Sequence, residues 1–356
     1  MADVDWGEPF HSEYRYMRVS RATGSETARL PGFLDGGRIE RNADTQVKEK
    51  GTVNHDGPLE IGADLVRVYL DATGLFTGWT ASEPLGTFLA STASRDVRGA
   101  VSTCKVDLSG RLDELAKDQF ECPISVPAGS DPVEKAVEIA RGVGLDVVAD
   151  PSSYRLSTAW TFGLDDAGGE SKLDAVNDLL EIAGFSSAAT DPMGRVVMRR
   201  YVSPNGRDSV HDFKEGADAR FLRSMTDELD ASDVANVVVA VFSDQDSTVI
   251  GTAVDSDPRS PYSTASIGRR LVARYEYNYA ATQRQADAKA AELLKTNQSV
   301  IRRVTFVHAY TPLSVGDVVS MGYATGGVRE SFAIRAQSIS LGAGCLVKCE
   351  GRAYGR

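Results

Sequence analysis

Apolar and polar residues alternate over short runs in the first and last thirds of this chain, and a period of two commits those thirds to β structure. In DLVRVYLD, Asp64 to Asp71, the residues Val66, Val68 and Leu70 fall on one face. GRIERNADTQVKEKGTV reads as strand, turn, strand, and STCKVDLSGRL places Cys104, Val106 and Leu108 together. From about Asp218 the alternation returns in VIRRVTFVHAY, VGDVVSMGY, RESFAIRAQSIS and GCLVKCEGR. The run VANVVVAVF is apolar on both faces, which marks either a central strand covered on both sides or a strand facing a partner subunit.

Between these thirds the period changes. After the Pro/Gly-rich CPISVPAGSDP, Asp131 is placed to cap a helix that opens on Pro132, where a missing N–H costs nothing. Val133, Ala136, Val137, Ile139 and Ala140 recur at helical spacing until Gly142 and Gly144 stop the helix. Ser171 and Asp174 resemble a capping box ahead of a stripe of Leu173, Val176, Leu179, Leu180 and Ala183, which ends at Gly184. Then come FSSAATD, a turn at Pro192-Met193-Gly194 and the strand RVVMRRYV. A third helix opens at Thr282 and Gln285 and buries Ala286, Ala290, Leu293 and Leu294. With 356 residues the chain exceeds what one core usually organises. The expected fold class is a β-rich α+β multidomain protein: a β-barrel-like domain over residues 1–126, a small α+β domain over 127–215, and a β-barrel domain carrying one helix over 216–356.

Motifs that carry chemistry are scarce. The sequence holds no G-x-S-x-G, Walker A or H-E-x-x-H pattern. His11, His55, His211 and His308 lie in separate segments, too far apart for a local metal pair. His308 shares a strand face with Val304 and Phe306 and reads as a hydrogen-bonded wall residue. His211 and Asp212 are neighbours whose side chains point to opposite sides of an extended chain, which makes a poor dyad. Gly142-x-Gly144 follows a helix, the reverse of the strand-to-helix order of a dinucleotide loop. Asp244 and Asp246 are spaced like the start of a calcium loop that lacks its glycine and its final glutamate, so they read as a hairpin turn. Cys104, Cys122, Cys345 and Cys349 match no C-x-x-C pair and are expected as free, mostly buried thiols. No catalytic, cofactor-binding or metal-binding residue is assigned, and no cofactor is expected.

The formal charge of −11, from 50 acids and 39 bases without a polybasic block, argues against tight nucleic-acid binding. Val234 to Phe242, the longest nearly apolar run, is too short to span a bilayer. The opening MADVDWGEPF has neither the basic nor the apolar region of a secretory signal, so folding and assembly in a cytoplasm are expected.

Two stretches together resemble the tail-hub proteins of tailed phages, the family of contractile-tail baseplate hubs and hub-like minor tail proteins. The first is KLDAVNDLLEIAGFSSAATDPMGRVVMRRYVSP, with its helix, short strand, D-x-x-G-like turn and second strand. The second runs from Asp233 to Tyr323 and places in order a Val-Ala-Asn strand, a loop ending near Ser263, the Gly268-Arg269 step, a helix, and a turn from Pro312 to Gly316-Asp317. Order and spacing over about half the chain carry the resemblance. Gly316 is placed to take a positive φ before VVSM.

The resemblance implies a homotrimer whose two barrels per subunit form a pseudo-sixfold ring at the virion tail tip, between tail tube and tip. Its expected partners are a distal tail or tube protein, the tape measure protein and a tip or fibre protein, with DNA passing only in transit and no membrane insertion. On net charge alone, an acidic channel wall is expected to let DNA slide past. Two other readings compete. A receptor- or carbohydrate-binding tail protein needs aromatics clustered in an exposed groove, whereas Trp6, Trp79 and Trp160 lie in different segments. A tail-associated cell-wall hydrolase needs a perturbed carboxylate or histidine in a cleft.

Overall fold

A computed structural model describes residues 4–98, 101–163, 171–204, 207–217, 219–229, 234–243, 247–277, 279 and 281–354. Asp244 and Asp246 lie outside the described residues.

The N-terminal third forms β1 (Phe10–Val19), β2 (Glu26–Arg29), β3 (Phe33–Asn42), β4 (Glu49–His55), β5 (Leu65–Gly74), β6 (Thr80–Arg98) and β7 (Val101–Gly110). They pair antiparallel in the order β2-β1-β5-β6-β7-β4-β3. Val66, Val68, Leu70, Val106 and Leu108, set on one face by their spacing, are all buried in the core. β6 serves two partners: Thr80–Phe88 pair with β5 and Phe88–Arg98 with β7. Just before the changeover, Gly86 takes a φ of +155°, and a Cβ there would run into the Phe88 ring, so only glycine fits. The sheet curls until Tyr16 on β1 stacks on Phe33 on β3, with ring centroids 3.8 Å apart.

The middle third holds α1 (Leu112–Ala116), β8 (Ile124–Val126), α2 (Pro132–Gly142), β9 (Val147–Ala149), β10 (Trp160–Phe162), α3 (Lys172–Ile182), β11 (Ala189–Thr190) and β12 (Val196–Met198). Both sequence-read caps form. The Asp131 carboxylate accepts from the Val133 N–H at 2.9 Å, and Ser171 Oγ accepts from the Asp174 N–H at 3.1 Å. Gly144 and Gly184, with φ of +86° and +74°, end the two helices as expected. Leu173, Val176, Leu179 and Leu180 meet Ala136, Ala140 and Val196 in a core separate from that of the sheet.

The last third contributes β13 (His211–Lys214), β14 (Phe221–Leu229), β15 (Val237–Ser243), β16 (Thr248–Val254), α4 (Thr264–Ile267), β17 (Val272–Tyr277), α5 (Gln283–Ser299), β18 (Val300–Ala309), β19 (Val318–Tyr323), β20 (Val328–Ser340) and β21 (Leu346–Tyr354). β14, β18, β21, β20, β19 and β13 pair in that order, and β13 and β14 meet only through side chains such as Phe213 and Phe221, 6.3 Å apart. Between β14 and β18 the chain makes an excursion that the sequence reading placed within the barrel. There β15 is the centre of a separate sheet, with β16 antiparallel and β17 parallel to it, and α5 covers one face through Ala286, Ala290 and Leu294. Asn236, fully buried, ties the excursion together: its amide donates to the carbonyls of Tyr262 and Arg269, and its Oδ1 accepts from the Leu271 N–H. The loop ending at Ser263 and the step at Gly268, whose φ is +73°, are thereby held in place.

Two features correct the expected picture of separate, closed barrels. Each β unit is curled, but no sheet among the described strands is closed by hydrogen bonds. The two units are also joined. Along one edge of β20, Val328–Ala333 pair with β19 and Ala336–Ser340 pair with β3, the exchange falling beside an irregularity between Ile334 and Ala336. One 13-stranded sheet and one core, including Val66 and Val106 from the first third and Phe306, Phe332 and Ile339 from the last, therefore run through both.

Candidate functional site

No group of three or more metal-ligating side chains gathers anywhere among the described residues. The closest approach to a nucleophile and base is Cys349 Sγ, 3.2 Å from His308 Nε2. His308 Nδ1 donates to the Ala309 carbonyl at 2.6 Å, so Nε2 is left to accept from the thiol. Both groups are sealed in the core beside Phe213 and Phe306. Burial pushes the Cys349 thiol up to about 12 and the His308 imidazole down to about 4, so the pair stays neutral and the thiolate needed for attack does not form. Asp212 turns away from His211 to accept from the hydroxyls of Ser209 and Ser320. Cys104, Cys345 and Cys349 are buried and Cys122 is exposed, all four as free thiols. One equivalent of thiol per chain is therefore expected to react rapidly with Ellman's reagent in native buffer and four after denaturation; more than one fast equivalent would contradict the packing.

The tryptophans do not stay scattered. Trp6 and Trp79 meet at 5.1 Å, but in an aromatic cluster with Phe10 and Tyr310 in which Trp79 is buried. Trp160 lines a groove of about 1700 Å³ together with Tyr154, Tyr201 and Tyr279. Only the fold could bring these aromatics together.

The D-x-x-G-like turn is a docking element. The Met193 carbonyl accepts from Arg67 Nη2 at 3.0 Å and the Pro192 carbonyl from Thr87 Oγ1 at 3.0 Å. Arg67 is only 4% exposed and also donates to Thr87 and Glu26. A Cβ on Gly194 would press on Thr87 Cβ at 2.9 Å, so the close approach of the turn to β6 requires glycine. Nearby, Thr190 donates to the buried Glu49 carboxyl, whose pKa burial raises against the lowering influence of Arg41 and Thr190.

The feature that spans the molecule is a face. From the second half of β6 the order β6-β7-β4-β3-β20-β21-β18-β14 gives eight strands, each antiparallel to the next. One side of this octet buries Val106, Val53, Ile39, Ile339, Val347 and Phe306. Strict alternation then puts polar side chains on the other side across both β units. The bases there are Lys105, Lys50, Arg38, Lys348, Arg352 and Arg303, and the acids are Asp96, Asp107, Glu40, Glu350 and Glu228. They form ladders: Glu40 lies 2.9 Å from Arg38 and 3.5 Å from Lys50, and Glu350 lies 3.1 Å from Arg303 and 3.5 Å from Arg352. The named side chains are six bases against five acids, a near balance, although the chain as a whole carries −11.

No family description matches the sequence, and no curated protein does. Solved structures do match. A tail protein from Neisseria meningitidis MC58 superposes with a TM-score of 0.67 at 12% identity, over 95% of this chain and 96% of its own. The 43 kDa tail protein of prophage MuSo2 from Shewanella oneidensis gives 0.67 at 12% identity, over 96% and 98%. An Escherichia coli component of the type VI secretion system, which itself exhibits structural similarity to tail proteins of bacteriophage T4, gives 0.50 at 12% identity, over 92% and 75%. The chain thus has the fold of phage tail proteins along nearly its whole length.

Proposed function

We propose that the chain is a non-enzymatic structural subunit of a phage tail tip, three copies of which form a ring around the tail channel and join tail tube to tip. The observation that carries this reading is the polar octet. Among the described strands it is a polar surface that runs from the first β unit to the second, so a ring of alternating units has a continuous wall if this face is turned inward. The flanking α+β module and the α5 excursion border the Arg335–Arg352 end of this face, where neighbouring tail proteins can reach them. Residues 1–126 and 216–356 supply the wall and 127–215 the outer module.

On this reading the wall repels less than the net charge suggests, because four of the five acids named, Asp107, Glu40, Glu350 and Glu228, lie within 4.0 Å of a base on the same face. The acidic wall expected from composition is replaced by one of paired charges. DNA and the tape measure protein would meet short, mutually neutralised ladders and no apolar patch on which to stick. Mass photometry of the protein with its neighbouring tail proteins tests the stoichiometry. Complexes containing three copies are expected; complexes containing one, two or six copies would overturn the trimer.

A further inference from the structure

The groove beside Trp160 runs between two parts of the chain that share no sheet. Glu181 on α3 and the segment leading into β10 form one wall, and Gln285, Lys289 and Glu292 on α5 form the other. Two contacts hold the walls together: the Trp160 and Tyr279 rings meet edge to face at 6.3 Å, and Lys289 lies 3.4 Å from Glu181. At about 1700 Å³ the groove is larger than the roughly 300–1,000 Å³ that takes one small molecule, so its natural occupant is a stretch of polymer.

The hydroxyls of Tyr14, Tyr69, Tyr275 and Tyr323 bond within the fold. In the groove, the hydroxyls of Tyr154, Tyr201 and Tyr279 and the indole N–H of Trp160 have no hydrogen-bond partner among the described residues. Tyr154 is 37% exposed and Tyr201 50%. The two amides in the walls are turned alike. Asn177 Oδ1 accepts from the Ala188 N–H at 2.9 Å and Gln285 Oε1 from the Thr282 N–H at 2.8 Å, which leaves both NH₂ groups without a partner among the described residues. Burial and the nearby Glu181 raise the pKa of the Tyr279 hydroxyl, so it stays a neutral donor.

We propose that this groove binds an uncharged stretch of polysaccharide several sugar rings long. A sugar ring has a flat C–H face, which stacks on the electron-rich face of an aromatic ring, and a rim of hydroxyls that need both donors and acceptors. Trp160 and the three tyrosines supply faces and donors, the two amides supply donors, and Glu181 and Glu292 supply acceptors. The charges set the class of sugar. Lys289 lies 3.4 Å from Glu181 and 3.6 Å from Glu292, so two carboxylates share one ammonium and this part of the groove repels a polyanion. Arg199, Arg335 and Arg352 in the lining are engaged by Asp150 and Asp44. A peptide would seat aliphatic anchors, yet Val202 is the one large aliphatic side chain exposed among the described lining residues. One copy holds the whole groove, so the inference is independent of the ring reading.

In the test, purified full-length protein is screened on an array of uncharged and anionic oligosaccharides, and the tightest hit is titrated by calorimetry. Binding to an uncharged chain is expected, with Kd raised about 10-fold in Tyr154→Ala and in Tyr201→Ala, the upper end for losing one stacked ring. Phe76→Ala, at a side chain 81% exposed and outside the groove, should keep the wild-type Kd. Both tyrosines are exposed, so their variants are expected to fold, and unchanged thermal melting checks this. No binding to any chain, a preference for anionic chains, or wild-type affinity in both tyrosine variants would overturn the proposal. So would hydroxyl-radical footprinting in which the neighbouring tail proteins, and no sugar, protect Tyr154 and Trp160; the groove would then belong to a protein partner. None of these outcomes bears on the copy number in the complex, which decides the ring reading.

Discussion

Gly251→Ala is expected to loosen helix α5 from its sheet and to cost that excursion on the order of 3 kcal/mol, the upper part of the range for overpacking. Gly251 is buried on β16 opposite the first turn of α5, and a Cβ built there would overlap the carbonyl group of Ala286, far inside the 3.0 Å that real Cβ contacts observe. The obstacle is helix backbone, so no side-chain rotation relieves it. Either α5 shifts outward, opening the packing of Ala286, Ala290 and Leu294 on Val238 and Phe242, or β16 bends away. Hydrogen exchange read by mass spectrometry should show residues 283–299 losing protection while β20 and β21 keep theirs. Gly142→Ala, where a Cβ has nothing within 4 Å, serves as the control and should leave the protection of α5 unchanged. Wild-type protection of α5 in the Gly251 variant would mean that the close approach of helix and strand is wrong.

Acid should unfold the protein partly through His308. Its imidazole is held neutral in the core with a pKa lowered to about 4, chiefly by burial, against an ordinary value near 6.5. Between those values the unfolded chain binds a proton that the folded chain does not, so stability falls as pH falls through this window. The difference corresponds to about 3 kcal/mol once pH 4 is reached, at roughly 1.4 kcal/mol per pH unit. Urea unfolding at pH 7.0 and pH 4.5 should therefore show a larger acid loss in the wild type than in His308→Phe, which keeps a ring beside Phe213 and Phe306 but cannot titrate. Equal losses in the two proteins would show that His308 is not sealed as described.

What could be read from sequence follows how local each signal is. A cap is written in four residues, and Asp131, Ser171 and the Thr282–Gln285 pair all form as their spacing indicates. Gly316, with φ of +97°, turns into β19 as expected. Alternation at Val66, Val68 and Leu70 tells which face of a strand is buried, but not which strand lies beside it. Ile39 between Arg38 and Glu40 looks like any hairpin residue, and nothing local says that Ile39 will face Ile339 across the seam that joins the two β units. For the same reason nothing local separates the α5 excursion from the main sheet: β15 and β18 carry equally strong strand patterns. α1 is five residues, too short to display a helical period. The outer half of β6, Ser91 to Arg98, is rich in small polar residues and carries no apolar alternation that would mark it as a strand. That half is one end of the polar octet, so the surface on which the functional reading rests was the part least visible in sequence.

Cryo-electron microscopy of the assembled tail tip would decide the matter most directly. The account predicts a ring of three copies in which Lys50, Arg38, Lys348 and Arg303 point into an open channel. A map in which that face is packed against another protein domain, with the channel bounded by other surfaces or absent, would contradict it.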